Sequence, residues 1–525
     1  MGGDITDGAF VGTADHPCIR DTRRCSCTNA RMSRGTMILR RIVASLLVSA
    51  STSAMPATYA DPDLPSAADL EELAPTLSPA ALRSGAPRPN IVMILVDDLG
   101  YGHLGSYGQR KIRTPNLDAM AAAGIQFTAA YSGSTVCAPS RAALMTGRHT
   151  GNTTIKTNMG GVRPGGFLLP RDVTIAEVLR ASGYATRVIG KWGMGEPHTP
   201  GAPNRKGFDY FYGVTNQVDA HKHYPDYVLK NGERLPIEAN RDGRTVVYGD
   251  DLYTDEAVKF IDQPRDRPFF LYFAPVAPHA ELTVPIDSAA EYEGQFEEKP
   301  YVNKEYLTDA TKNYADVERP LTNLAGIITR LDRQVGQIID AVRRSGIADN
   351  TLIVFTSDNG PSDEGGASVS FFDATGPFRG TKRSLNEGGI RVPMIAFWPG
   401  KIASGRTITE PVSSWDLAPT FAYLAGVAMP KSDGQSLMAL LDGQRSSLGE
   451  RCLYWRYRYN GQLLQAVRLG DWKLLRGTPS SVELYNLVQD PNESRNLASL
   501  YPKRVRELDV CLRKSEPAAF TELPR

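Results

Sequence analysis

Asn90-Ile-Val-Met-Ile-Leu-Val-Asp-Asp98 is the stretch on which the fold turns. Six apolar residues, 91–96, follow one another without polar alternation, and two carboxylates close the run. A strand with one wet face would alternate, so an unbroken apolar run this short fits a parallel strand buried on both faces. Shorter apolar runs of this kind recur at residues 185–189, 269–273, 352–355 and 394–397. Helical stretches lie between them. Residues 117–123 end at Gly124, and residues 173–182 end at Gly183. A long helix is expected over about 321–344. Its Leu324, Ile327, Ile328, Leu331, Val335, Ile338, Ile339 and Val342 recur at spacings of three and four, which makes one buried stripe. Alternation of this kind predicts an α/β fold, a mainly parallel central sheet flanked by helices. Chemistry in such sheets sits beyond the C-terminal ends of the strands.

After residue 445 the character changes. Residues 453–458, 462–468 and 472–475 read as short antiparallel strands separated by Asn-Gly and Gly-Asp turns, with a final helix near 502–513. This predicts a smaller C-terminal α+β lobe over 446–525, after a main domain over 89–445. Ahead of them, residues 61–88 read as a linker or surface arm. Met37-Ile-Leu-Arg-Arg41, an apolar run over 42–50 and small residues up to Ala60 read as a secretory signal peptide over 37–60. The apolar run is too short to span a bilayer, so no stable membrane span is expected. Residues 1–36 read as a non-native extension ahead of the true start at Met37. The expected location is periplasmic or secreted.

The whole chain has 525 residues, 41% of them hydrophobic and 22% charged, which is a globular composition long enough for a large core. Its 59 basic and 58 acidic residues leave a net charge of +1, and no basic stripe points to nucleic acid as a partner. Cutting after Ala60 removes 7 basic and 4 acidic residues, leaving 52 and 54, a net −2. Three cysteines then remain. Cys452 and Cys511 are either a disulfide pair or two separate buried thiols.

The third is Cys137, in Cys137-Ala-Pro-Ser-Arg-Ala-Ala-Leu-Met-Thr-Gly-Arg148. Pro139 suits the first turn of a helix and Gly147 stops it, so Cys137 sits at a helix N-terminus, where N–H groups and the dipole favour an anion. Arg141 lies one turn on. Asp97-Asp98 and Asp358-Asn359 both end strands and offer hard oxygen donors, suited to Ca²⁺ or Mg²⁺. Lys191 in Gly190-Lys-Trp-Gly-Met-Gly195 and His279 in Ala277-Pro-His-Ala280 also follow strands. Lys382 lies in Thr381-Lys-Arg-Ser-Leu-Asn-Glu-Gly-Gly389.

Together these segments resemble the type I, formylglycine-dependent sulfatases of the alkaline phosphatase superfamily, over roughly residues 89–500. The resemblance implies that Cys137 is converted to formylglycine, an aldehyde whose hydrate attacks sulfur. It implies a divalent ion at Asp97, Asp98, Asp358 and Asn359 beside residue 137, with Ca²⁺ preferred to Mg²⁺. It implies that Arg141 supports the nucleophile, that Lys191 and Lys382 bind the sulfate, and that His279, with Lys382, protonates the leaving oxygen. A sulfate ester, aryl or saccharide, is the implied substrate, and a formylglycine-generating enzyme the implied partner in maturation. His221 and His223, in Asp219-Ala-His-Lys-His-Tyr-Pro225, are read as candidates for the substrate pocket or as surface-loop residues.

Four positions depart from the pattern. Gly193 stands where many relatives carry a histidine that helps expel sulfate, which leaves that base unassigned. His103 replaces an Asp, and Asn152 and Ser362 replace histidines. Two other readings stay open on the sequence: a phosphodiester or phosphonate monoester hydrolase on the same scaffold, and a non-catalytic binder of sulfated glycans.

Overall fold

A computed structural model describes residues 88–158, 165–304, 314–459, 461–477 and 481–516. The expected N-terminal extension, the signal peptide and all but the last residue of the linker lie outside the described residues. The strands of the main sheet are β1 (Asn90–Val96), β2 (Ile125–Phe127), β4 (Ala185–Lys191), β5 (Tyr210–Val214), β6 (Tyr227–Lys230), β7 (Glu233–Pro236), β8 (Phe269–Ala274), β9 (Thr351–Ser357), β10 (Met394–Phe397) and β11 (Arg406–Ile408). A two-stranded sheet pairs β3 (Ala130–Tyr131) with β12 (Val412–Ser413).

The ten strands run in the order β11-β2-β10-β9-β1-β8-β4-β5-β6-β7. From β9 to β5 every pairing is parallel. Beyond this block the pairings of β10 with β9 and β2, and of β6 with β5 and β7, are antiparallel. The sheet is therefore mainly parallel, as its apolar runs predict, with the run at 394–397 reversed against its neighbours.

Strand β1 shows why it had to be apolar throughout. Ile91, Met93 and Leu95 point into one core, and Val92, Ile94 and Val96 into the other. Helices cover both faces. Against the first core lie α2 (Cys137–Thr146), α3 (Ile175–Ala181) and α6 (Leu417–Leu424). Against the second lie α1 (Pro115–Ala123), α4 (Gly249–Asp262) and α5 (Pro320–Arg344). All eight stripe residues of α5 are buried. Pro320 starts this helix without costing a hydrogen bond, and Arg343 and Arg344 in its last turn complement the dipole. Helix α3 begins two residues later than its apolar pattern predicts. The cause is a capping box at Thr174, whose Oγ1 accepts from Glu177 N (3.2 Å) while Glu177 Oε2 accepts from Thr174 N (2.8 Å).

The C-terminal sheet is antiparallel in the order β13 (Cys452–Tyr459), β14 (Gln462–Leu469), β15 (Trp472–Gly477) and β16 (Ser481–Asn486), with α7 (Pro502–Ser515) packed on it. A disulfide joins Cys452 to Cys511, with their Cα atoms 6.0 Å apart, so the pairing alternative holds. The opposite face of the sheet docks on the main body. Trp455 packs 5.2 Å from Tyr131 and 5.4 Å from Trp415, and its Nε1 donates to Ser132 O at 2.9 Å. Among the described residues no helix is long and apolar enough to cross a membrane.

Candidate active site

Strands β9, β1, β8 and β4 are neighbours and parallel, so their C-terminal ends open on one edge of the sheet. Asp358 and Asn359 leave β9, Asp97 and Asp98 leave β1, His279 follows β8, and Lys191 ends β4. Gly190 makes the last of these placements feasible. A Cβ there would stand 2.0 Å from Ala274 O, so only glycine lets β4 close on β8 beside Lys191. Helix α2 brings Cys137 to the same edge, and the loop before the short helix Glu387–Ile390 brings Lys382.

These side chains form a buried polyelectrolyte. Lys191 Nζ lies 2.5 Å from Asp97 Oδ2. Arg141 ties two strand ends together, with NH2 2.8 Å from Asp358 Oδ2 and 3.4 Å from Asp97 Oδ2. Its Nε donates to Asp358 Oδ2 (2.9 Å) and its NH1 to Lys191 O (2.8 Å). The Cys137 thiol donates to Asp97 Oδ1 at 3.3 Å. Lys382 Nζ donates to Asp98 Oδ2 (2.7 Å) and faces His279 Nε2 at 3.2 Å. All nine residues named as catalytic or as metal ligands (Asp97, Asp98, Cys137, Arg141, Lys191, His279, Asp358, Asn359 and Lys382) are buried.

Charge states follow from that geometry. Burial disfavours the Asp97 carboxylate, but the Lys191, Arg141 and Lys382 cations outweigh it and hold its pKa well below the usual range. Burial and the neighbouring Asp97 charge push Asp358 up to about 7, against Arg141 and Lys191. Burial, followed by the charge of Asp97, pushes the Cys137 thiol up to about 12. An unmodified Cys137 is therefore a thiol at neutral pH, a poor nucleophile. Burial and the Lys382 charge depress the His279 pKa, so the imidazole is neutral. Its Nδ1 contacts the Ala280 carbonyl, which assigns the proton to Nδ1 and leaves Nε2 as acceptor for the Lys382 ammonium.

The donor set fits a hard cation. Carboxylate oxygens of Asp97 and Asp98, Cys137 Sγ and a ring nitrogen of His279 lie within 4.8 Å of one another. Asn359 Nδ2 donates to Asp98 Oδ1 at 2.7 Å, while its Oδ1 is buried with no hydrogen-bond partner among the described residues. An orphaned carbonyl oxygen beside three carboxylates is what an oxygen-seeking divalent ion completes.

The two loop histidines have different surroundings. The His221 ring stacks on His279, with centroids 4.9 Å apart and planes 13° from parallel, and lies 5.1 Å from the Tyr314 ring. His223 sits behind, with Nε2 2.8 Å from His279 O and Nδ1 3.1 Å from Tyr248 Oη, so both of its nitrogens face protein partners. Of the departures noted above, His103 is buried with Nδ1 accepting from Gly100 N at 3.0 Å. Asn152 Nδ2 donates to both carboxylate oxygens of Asp433.

Residue patterns did not single out Glu364, which is buried 3.7 Å from Lys382 Nζ and 2.8 Å from Arg383 NH2. Burial opposes its charge, but Lys382 and Arg383 hold its pKa below the usual carboxylate range. Its one sequence signal is its place five residues after Asn359. The rings of Tyr457 and Tyr459 of β13 stack with centroids 6.1 Å apart. The Arg383 guanidinium lies 6.0 Å from the Tyr459 ring.

With this geometry established, comparison with known proteins is direct. The Sulfatase family model matches residues 89–427, and the model described as N-sulphoglucosamine sulphohydrolase, C-terminal, matches residues 378–514. N-acetylgalactosamine-6-sulfatase of Mus musculus is 35% identical over 430 residues, 75% of this chain and 73% of that protein. Arylsulfatase A of Bos taurus is 34% identical over 479 residues, covering 80% of this chain and 86% of that protein. The crystal structure of Ps i-CgsB in complex with k-i-k-neocarrahexaose superposes with a TM-score of 0.66 at 28% identity, over 83% of this chain and 95% of that one. On this breadth of agreement the chain belongs to the sulfatase family, enzymes that hydrolyse sulfate esters.

Proposed function

We propose that this enzyme releases inorganic sulfate from a sulfated saccharide at the edge formed by β9, β1, β8 and β4. The observation that carries this reading is the meeting of an oxygen donor set, the N-terminus of α2 and two lysines at four adjacent strand ends. In this reading Asp97, Asp98, Asp358 and Asn359 hold a divalent ion, Ca²⁺ in preference to Mg²⁺, and Cys137 is the residue converted to formylglycine by a maturing enzyme. A divalent ion held there would supply charge neutralisation for the sulfate oxygens, and a formylglycine hydrate at residue 137 would supply the attacking oxygen.

The chain's own residues do the rest. Lys191 and Lys382 exchange part of their contact with Asp97 and Asp98 for the sulfate oxygens. Their charge is fixed in a dry site, where it costs no reorganisation as the leaving oxygen becomes negative. Arg141 holds Asp97 and Asp358 in register and fixes the first turn of α2. The departing alcohol takes its proton from the Lys382–His279 pair, in which the proton rests on Lys382 and His279 Nε2 is 3.2 Å away. His221, Tyr314, Tyr457, Tyr459 and Arg383 supply aromatic faces and a cation for the sugar, while His223 steadies the His279 backbone.

The substrate class rests on the printed names of the relatives, which include an N-acetylgalactosamine-6-sulfatase and a structure complexed with a neocarrahexaose. Export to the periplasm or beyond accords with the Cys452–Cys511 disulfide, because such bonds persist in oxidising compartments. The domain limits 37–60, 61–88, 89–445 and 446–525 stand as part of the same reading. Parallel rates on an aryl sulfate, an aryl phosphodiester and a panel of sulfated saccharides test it. Sulfate release from saccharides is expected; a preference for the phosphodiester would replace this reading with the hydrolase alternative.

A further inference from the structure

Gly193 lies two residues past Lys191, and its φ of +76° is in the left-handed region. Its N–H donates to Thr215 O at 3.1 Å, which clamps the exit of β4 to the exit of β5. Position 193 has no side chain, yet the space above it is filled. A Cβ there would stand 2.5 Å from Gln217 Nε2 and 3.8 Å from Arg141 Cδ. The Gln217 amide therefore occupies the volume that a side chain at 193 would take. It does so beside the stem of the arginine that joins α2 to Asp97 and Asp358.

The amide is held in place. Gln217 Nε2 donates to Gly193 O at 3.4 Å. Its loop is pinned on the next turn, where Asp219 N donates to Asn216 Oδ1 and Asn216 Nδ2 to Asp219 Oδ2, both at 2.7 Å. Tyr227 Oη donates to the same Asp219 carboxylate. Gln217 itself is half-buried.

We propose that Gln217 is a binding and positioning residue for the sulfate group, supplying from the exit of β5 the hydrogen bond that position 193 cannot. This rests on the sulfatase reading of the neighbouring site. The chemistry is specific. A carboxamide donates N–H to an anionic oxygen, accepts from an O–H, and neither gains nor loses a proton in the range a protein tolerates. The face of the site above Gly193 therefore contributes a neutral contact in place of a titrating one.

The experiment is sulfate binding by calorimetry, with the Cys137→Ala protein in calcium buffer and inorganic sulfate as the probe. Gln217→Ala in this background should weaken binding by about tenfold, the loss of one hydrogen bond to a charged group. Gln217→Met keeps the volume and removes the bond. It should weaken binding as much as Ala does, whereas a mere filler of the space would show Met behaving like the parent. Gln217→Glu should weaken binding further by like-charge repulsion. A melting-temperature cycle adds a readout independent of ligand. Gly193→Ala should destabilise the parent more than it destabilises Gln217→Ala, where the 2.5 Å clash is gone. Unchanged sulfate affinity in both Gln217→Ala and Gln217→Met overturns the proposal. Absence of sulfate binding with Gln217 intact would instead overturn the sulfatase reading of the site, and this proposal with it.

Discussion

At the scale of single residues, the site depends on keeping charges dry and paired. Cys137 is the test of the nucleophile. Its thiol is buried beside Asp97 and stays protonated, which accords with the proposal that the side chain is converted to formylglycine before it attacks. Cys137→Ala should abolish turnover while leaving the melting temperature nearly unchanged, because α2 is held by Arg141 and its apolar face. A large drop in melting temperature would show that the thiol is structural. His279→Ala should slow esters of poorly acidic alcohols at least tenfold more than activated aryl sulfates, since only the former need a proton on leaving. Equal losses on both would remove His279 from proton transfer.

At the scale of elements, catalysis is a property of strand order. Asp358 and Asp97 are 261 residues apart in the chain, and the parallel pairing of β9 with β1 makes them neighbours. Asp358→Ala should lose the bound divalent ion, read as metal content after gel filtration, and unchanged content would refute that ligand. This scale also shows what the sequence made legible. Strands β1, β4, β8 and β9 announce themselves because a strand buried on both faces has no polar positions. Strands β6, β7 and β11 do not, because they are short edge pairings in which Glu233 and Arg234 are exposed and the partner strand decides the conformation. Site residues at strand ends were legible for the same reason as the strands. Gln217 and Glu364 were not, because their contacts arise from proximity across loops. His221 and His223 look alike in sequence, but the turn between them sends one ring onto His279 and the other against Tyr248.

At the scale of the whole molecule, the C-terminal sheet closes on the catalytic body through a buried ionic knot. Lys473 Nζ lies 2.8 Å from Glu387 Oε1 and 3.0 Å from Glu493 Oε1, and Tyr131 Oη donates to Glu387 Oε2 at 2.6 Å. Burial opposes the Glu387 charge, but Lys473, Arg391 and Arg468 bring its pKa down to about 2 from 4.5. A depressed carboxylate stabilises the fold fully above its unfolded pKa, and this contribution is lost as pH falls from about 4.5 towards 2. The melting temperature should therefore fall across that window. Glu387→Gln should melt lower at pH 7 and show a shallower fall below pH 4.5, with Lys473 still paired to Glu493. An identical acid limb in both proteins would discharge Glu387 from this role. Cys511→Ser opens a loop of 59 residues and should cost about 2–5 kcal/mol under oxidising conditions, with no difference once both proteins are reduced.

The most direct test is sulfate release from a sulfated saccharide by protein co-produced with a formylglycine-generating enzyme, alongside the mass of its residue-137 peptide. Activity that rises in proportion to the aldehyde fraction of that peptide is the predicted result. Equal activity in protein whose residue 137 is wholly thiol, or none in protein whose residue 137 is wholly aldehyde, would contradict it.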